Sequence, residues 1–333
     1  MRDMQREIRL PMASPDLDEA EILAVTEVLR SHRLTMGSQT AEFEEIVANY
    51  CGARYAVAVS SGTAGLHLLC CAAGLGPGDE VITSSFSFVA STNCVLYVGA
   101  TPVFVDIEPQ MYCLDPEMVE KAITSHTKAI LAVDVFGTPA EWDRLSEISQ
   151  QRGLILIADA CESLGAEYKG RKCGPFGMGG VFAFFPNKQI TTGEGGMIVT
   201  NDQKVATICR RLRNQGRDES GPWLTHLALG YNYRMTELSA AIGIAQFNKL
   251  TSFLDKRQRV ADIYQDLLRN ERRVRTPRGR PGCKTSHFVY VIEILSSVHR
   301  DQVIRGLAHR GIPSRGYFAP IHLQPYMKAR GMR

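Results

Sequence analysis

Between residues 55 and 159 the chain alternates short apolar runs with amphipathic stretches, and this alternation narrows the possible folds more than any other feature. Residues 55–60, 80–83, 102–106, 128–133 and 154–159 read as strands, and helical periodicity occupies 66–73, 90–99, 116–123 and 141–152. Continuous apolar strands separated by helices predict an α/β fold whose mostly parallel sheet is buried on both faces. Ligands of such sheets gather at the carboxyl ends of the strands.

Three groups stand where that edge is expected. Lys188 follows the apolar run 180–185 and precedes the glycine-rich run 191–196. A lysine delivered off a buried strand into a tight turn loses hydration, which favours the nucleophilic free amine. A lone loop lysine is ordinarily a solvated charge, so this reading depends on its company. Asp159 ends a strand 29 residues earlier, and Ser60-Ser61-Gly62-Thr63 sits where a strand hands over to a helix, whose free amides and dipole suit a phosphate. Two other phosphate motifs fail: Gly170 is followed by Arg171 where a nucleotide hydrolase needs lysine, and Gly177-x-Gly179 lacks the third glycine of a dinucleotide site. Pyridoxal 5'-phosphate (PLP) asks for all three groups present: an amine for its aldehyde, a carboxylate for its ring nitrogen, and donors for its phosphate.

Eight stretches in order carry a family resemblance: 60–63, 76–81, 86–90, 99–106, 159–165, 184–188, 192–196 and 230–234. From about residue 10 to 326 they resemble the PLP-dependent sugar aminotransferases of the DegT/DnrJ/EryC1/StrS family. The resemblance implies the aspartate aminotransferase type of fold (fold type I), with a large PLP-binding domain over 10–248 and a small C-terminal α+β domain over 249–333. It implies that Lys188 holds the cofactor and shuttles the proton. Asp159 would pair with the ring nitrogen, and Ser61, Gly62 and Thr63 would line the phosphate. Phe88 would stack on the ring, and Glu162 would stand near its phenolic oxygen. Asn232 would reach the phosphate of the other subunit's cofactor, which makes the protein a homodimer with a shared site.

The implied reaction is a ping-pong exchange in which glutamate aminates a nucleotide-linked keto-deoxysugar, at C4 by the look of the 191–196 run, in polysaccharide or antibiotic biosynthesis. Arg33, Arg234, Arg315 and His322 are the substrate-binding candidates. Two positions depart from the family pattern: Ala183 replaces a serine that holds the phosphate, and Glu162 replaces glutamine or histidine, so its carboxyl is expected to be protonated, turned away or paired with a base. The chain also ends at Arg333, where relatives continue with more of the small domain. The rival reading this keeps open is a non-catalytic PLP-binding protein of regulation or assembly, whose signature would be loss of Lys188 or Asp159.

Composition excludes other classes. A net charge of +3 from 38 basic and 35 acidic residues leaves no nucleic-acid footprint, and the basic region 272–280 reads as a loop. The nine cysteines show no zinc spacing, predict no metal site, and suit reduced packing positions. Residues 1–10 lack the apolar core of a signal peptide, and no apolar run reaches membrane-spanning length, so a soluble, cytoplasmic protein is expected.

Overall fold

A computed structural model of the chain describes residues 11–218, 221–295 and 299–331. Residues 1–10, read above as lacking a signal core, lie outside the described residues.

The apolar runs become β1 (Tyr55–Val59), β2 (Glu80–Ser84), β3 (Thr101–Val105), β4 (Thr127–Val133) and β5 (Ile155–Asp159). A small hairpin, β6 (Glu167–Tyr168) and β7 (Arg171–Lys172), precedes β8 (Gly179–Ala183) and β9 (Gly196–Thr200). The main sheet has seven strands in the order β1-β9-β8-β5-β4-β2-β3. β3, β2, β4, β5 and β8 pair in parallel, whereas β9 runs antiparallel to both β8 and β1. A parallel return needs a long crossover, usually a helix. The segment 184–195 between β8 and β9 contains no helix, so β9 must reverse direction, and Lys188 is in that reversal. The carboxyl ends of six strands and the β8–β9 loop therefore share one edge.

Both faces are buried, as a strand pattern with no polar side requires. Val57, Val59, Val181 and Ile198 join one cluster with Leu66, Leu69, Trp142, Leu145 and Cys209. Their strand neighbours Ala56, Ala58, Phe182, Met197 and Val199 join the other with Phe43, Val47 and Phe253. The first face is covered by α3 (Gly62–Ala72), α4 (Ala90–Tyr97), α5 (Pro116–Ala122), α6 (Trp142–Arg152) and α7 (Gln203–Arg213). The second is covered by α2 (Ser38–Cys51), α8 (Glu237–Asn248) and α9 (Leu250–Leu268). Each fully buried Leu, Ile or Phe contributes about 1.5–3 kcal/mol relative to exposure.

The N-terminal helix is docked by a polar contact and not by its apolar stripe. α1 (Glu19–Ser31) starts at a capping box in which Asp18 accepts from the Ala20 amide and Glu21 answers the Asp18 amide. Its apolar stripe, however, faces outward: Ile22, Leu23 and Leu29 are more than half exposed, as is Leu17 just before it. The helix instead docks on α8 through Val28 and the buried Glu21, whose carboxylate meets Lys249 Nζ at 2.6 Å and Gln246 Nε2 at 2.7 Å.

Beyond α9 the largely apolar stretch 287–294 forms a strand only at β12 (Glu293–Ile294), paired with β10 (Val274–Arg275). A strand needs a neighbour, and among the described residues that neighbour is two residues long, while His287 adopts a positive φ of 49°. β11 (Cys283–Lys284) extends the β6–β7 hairpin, and α10 (Arg300–Ala308) follows β12 in the chain. The tail forms a short 3₁₀ turn at Ile321–Leu323 and α11 (Pro325–Ala329). No helix among the described residues is long and apolar enough to cross a membrane.

The loop after β4 is set by a buried carboxyl. Asp134 Oδ1 accepts from the Ala140 amide at 2.8 Å and Trp142 Nε1 at 3.0 Å, and Oδ2 accepts from Ser163 Oγ at 2.8 Å. Burial pushes this carboxyl up, and the donors only partly offset it, leaving it at about 6. Between about pH 4, where the unfolded chain ionises, and that value, the folded state keeps a proton the unfolded state has lost, so stability falls as pH rises. Urea unfolding of Asp134→Asn beside the wild type is expected to move the stability difference towards the variant by up to about 3 kcal/mol between pH 4 and pH 7. An unchanged difference would mean that Asp134 ionises normally.

Candidate active site

The β8–β9 loop is drawn inward by Phe184, fully buried, whose carbonyl accepts from the Thr192 amide at 3.0 Å and from Thr191 Oγ1 at 3.0 Å. Gly195 lies so close to Thr192 Oγ1 and Met235 that a Cβ there would collide with both. The chain is thereby folded into a turn, Lys188 N donating to Phe185 O at 2.9 Å. The Lys188 side chain is 14% exposed. Its Nζ stands 3.5 Å from Glu162 Oε1 and 4.0 Å from the centroid of the Phe288 ring. The lysine is sheltered, as its position after a buried strand suggested.

Glu162 is buried, and its Oε2 accepts from the Phe136 amide at 2.8 Å. Burial pushes its carboxyl above the usual range, while the Lys188 ammonium and the Phe136 amide pull it down and the charge of Asp159 pushes it up again. Of the three expected outcomes for this residue, pairing with a base is the one found. Asp159, 4% exposed at the end of β5, accepts from the Cys161 amide at 3.1 Å through Oδ1 and from Ser91 Oγ at 2.7 Å through Oδ2. Ser87 Oγ lies 2.7 Å from Ser91 Oγ. With Ser91 committed to the carboxylate, Ser87 donates to it, so two hydroxyls back the acid. Neither serine was singled out in the sequence: Ser91 lies in the first turn of α4 and Ser87 in the loop before it.

The helix start expected to take a phosphate lies beside these groups. Ser61 is the N-cap of α3, its Oγ accepting from the Ala64 amide at 3.1 Å. No hydrogen bond among the described residues takes up the amides of Gly62 and Thr63. A Cβ at Gly62 would come within 2.8 Å of Ala183 Cβ and 2.9 Å of Cys161 Sγ. The helix end is thus pressed against the last residue of β8 and the residues that follow Asp159, and the alanine at 183 forms part of that contact. Phe88, 62% exposed, is just before α4 at the same edge. Buried amine, buried acid, free helix amides and an exposed aromatic ring fit a pyridine aldehyde carrying a phosphate.

The remaining candidates divide. Burial pushes the Tyr317 hydroxyl up, the Glu162 charge adds to this, and the Arg315 charge opposes it. His322 packs 6.1 Å from Phe104 on β3, held there by the Ile321 amide donating to Ser85 O at 2.9 Å. Arg33 and Arg234 gather elsewhere. Arg234 donates to Asn214 Oδ1 at 3.0 Å and lines a cavity of about 300 Å³ with Met36, Gly37, Glu44, Arg210 and Arg213. Arg33 donates to the Met36 carbonyl and stands against Gly37. Asn232 is exposed and pairs with Asn214, its neighbour Tyr233 accepting from the Ser60 amide at 2.8 Å. Among the described residues no group of His, Cys, Asp and Glu could hold a metal ion.

Comparison with known proteins agrees with this geometry. The model of the DegT/DnrJ/EryC1/StrS aminotransferase family matches residues 15–333. GDP-perosamine synthase of Caulobacter vibrioides is 42% identical over 321 residues, which cover 95% of this chain and 86% of that protein. The UDP-4-amino-4-deoxy-L-arabinose–oxoglutarate aminotransferase of Shewanella sediminis is 34% identical over 333 residues, 96% of this chain and 85% of its own. Among solved structures, a Streptococcus pneumoniae protein assigned as a sugar aminotransferase, seen in its PMP form, superposes with a TM-score of 0.92 at 29% identity, covering 97% of this chain and 87% of its own.

Proposed function

This chain belongs to the DegT/DnrJ/EryC1/StrS aminotransferase family, and from that membership we propose that it moves the amino group of glutamate onto C4 of a nucleotide-linked keto-deoxysugar by a ping-pong route. The observation that carries the reading is Lys188: a sheltered amine 3.5 Å from a buried carboxylate, at the strand edge where Asp159 and the α3 amides also open. The Shewanella relative's name supports the details, since it specifies a 4-amino-4-deoxy sugar and oxoglutarate.

PLP, once bound, supplies an aldehyde that takes up amines and a ring that accepts the electron pair released at the substrate carbon. This chain would hold it with Lys188, with Asp159 at the ring nitrogen, with Ser61, Gly62 and Thr63 at the phosphate and with Phe88 on the ring face. Asp159, held in place by the Ser91 hydroxyl and the Cys161 amide, would set its carboxylate against the ring nitrogen and favour a positive charge there. Lys188 Nζ takes a proton from the substrate carbon in one half of the reaction and returns one in the other. Glu162 stabilises the ammonium form between those transfers and, through the Phe136 amide, keeps its own place. Phe288 and the buried loop exclude water from the amine. Arg315 is offered as a cation for a substrate anion.

The other candidates support a homodimer. Asn232, Arg33 and Arg234 stand apart from Lys188 of their own chain, and the outward stripe of Ile22, Leu23 and Leu29 is apolar surface a second subunit can cover. In this reading they serve the partner's cofactor and substrate, and His322 bounds the sugar end. In this reading the small domain begins at 249, where α8 gives way to α9, although Leu250, Phe253 and Leu254 at the start of α9 pack into the large-domain core. Against the non-catalytic alternative stands the presence of both Lys188 and Asp159 in working surroundings.

The test is direct. PLP-loaded protein given nitrogen-labelled glutamate and a panel of GDP- and UDP-linked 4-keto-deoxysugars is expected to yield a sugar nucleotide with labelled nitrogen on C4, read by NMR. Label on C3 would overturn the regiochemistry, and label on no sugar would overturn the reaction.

A further inference from the structure

Arg257 spends its guanidinium on carbonyls alone. Half-buried on α9, it donates through Nη2 to Lys188 O at 3.2 Å and through Nη1 to His287 O at 3.1 Å and Phe288 O at 3.0 Å. Among the described residues it forms no ion pair, and loss of hydration holds the guanidinium below its ordinary value. Taking a cation from water without an opposite charge is costly, and the planar fork meets several carbonyls in a fixed geometry that a flexible ammonium does not impose. The three acceptors belong to the two segments that define the surroundings of the lysine amine: the Lys188 turn itself, and the 287–288 stretch whose Phe288 ring lies 4.0 Å from Nζ.

The same stretch is tied on its other side. The Ser286 amide donates to Gly137 O at 3.0 Å and the Phe288 amide to Phe136 O at 3.2 Å. Gln189 Nε2 donates to Glu162 O at 2.5 Å and to Ser286 Oγ at 2.9 Å. Phe136 in turn donates to Glu162, so the far side fixes the carboxylate that faces Nζ. Arg257 closes the near side: Gln258 of α9 also meets His287 Nε2, at 3.2 Å, but Arg257 joins that stretch to the lysine turn. Arg257 also lines, with Lys188, Gln189 and Phe253, a cavity of about 220 Å³.

We propose that Arg257 is a positioning residue for Lys188: by gathering the carbonyls of Lys188, His287 and Phe288 it places the lysine amine between the Glu162 carboxylate and the Phe288 ring. The inference rests on the assignment of Lys188 as the reacting amine. A misplacement of about 1 Å at such a site costs roughly 10²-fold in rate.

The test compares wild type, Arg257→Ala and Arg257→Lys, each checked for an unchanged fold by circular dichroism and melting. In the glutamate–oxoglutarate exchange of the PLP-loaded proteins, both variants are expected to lose about 10²-fold in kcat with little change in the KM for glutamate. In a second assay, cofactor-free protein is mixed with pyridoxal 5'-phosphate, reduced with borohydride at intervals and digested. Labelling of the Lys188 peptide is expected to slow in both variants. Millimolar guanidinium chloride should speed both assays for Arg257→Ala, whose emptied side-chain volume opens onto the cavity, and not for Arg257→Lys. Variants that label Lys188 as fast as the wild type, or a loss that follows melting temperature and is not rescued, overturn the role of Arg257. A wild type that labels no peptide at Lys188 overturns the assignment of the amine itself, which is a separate result.

Discussion

Lys188→Ala is expected to abolish the exchange of label between glutamate and 2-oxoglutarate, lowering the rate of PLP-loaded protein by at least about 10⁴-fold. Two functions are lost together. The positioned amine is a nucleophile that captures the cofactor aldehyde, and it is the proton carrier for the substrate carbon, a role worth about 10²–10⁴-fold alone. Water cannot substitute readily, because the site around Nζ is closed by Phe288 and the buried 184–192 loop. Lys188→Arg should fail as badly: it retains a cation beside Glu162 but offers no free amine at neutral pH. Folding is expected to survive. Removing the ammonium leaves a buried carboxyl that burial already pushes up, so Glu162 can answer by taking a proton rather than by unfolding the site. The exchange assay needs no sugar, so its outcome does not depend on which nucleotide the enzyme takes. Exchange in Lys188→Ala within tenfold of the wild type would remove the lysine from the mechanism.

That such a prediction can be made from one strand-end lysine shows where the sequence is informative. The strands of the main sheet follow from their own apolar residues, because a segment buried on both faces needs no polar positions and announces itself locally. Lys188, Asp159 and Ser61 are legible for the same reason, as each is tied to the end of such a strand. What stayed hidden depends on distant parts of the chain. Ser91 acquires meaning only when α4 brings its hydroxyl to Asp159, 68 residues away in sequence. Phe288 reads as one apolar residue of a strand, and becomes a cover for Lys188 because its segment lacks a strand partner and threads between the Phe136–Gly137 turn and Arg257. The outward stripe of α1 shows the converse. Its periodicity is correct, but periodicity reports a face and not what covers it, and here the buried Glu21 turns the helix the other way.

The two departures from the family pattern also find physical accounts. At 183 a larger side chain would have to share the space between β8 and the α3 start, where Ala183 Cβ and Cys161 Sγ already crowd Gly62. In the proposed reading the phosphate would then be left to the amides of Gly62 and Thr63 and the Thr63 hydroxyl. At 162 the carboxylate is tolerable because it is answered by Lys188 and an amide in the same plane of contacts.

Asp159→Asn is expected to lower the exchange rate by about 10²–10³-fold while leaving capture of the cofactor by Lys188 nearly intact, which separates it from the lysine variants. A charge pair in contact is worth about 4 kcal/mol at an effective dielectric of about 20, and about 1.4 kcal/mol corresponds to tenfold in rate. Asparagine retains the shape and can still accept from Ser91, so the loss reports the charge and not a cavity. Ser91→Ala offers a graded comparison. It removes one hydrogen bond to an ionised group, worth about 1.5–3 kcal/mol, and should cost about tenfold or somewhat more, with Ser87 left near enough for a water to bridge. The order of the three proteins is the informative result: wild type fastest, Ser91→Ala intermediate, Asp159→Asn slowest, all labelled at Lys188 by borohydride. Should Asp159→Asn exchange as fast as Ser91→Ala, the carboxylate would be serving the fold of the strand end and not the chemistry. The buried charge would then need another purpose, because 4% exposure is an expensive place to retain one without use.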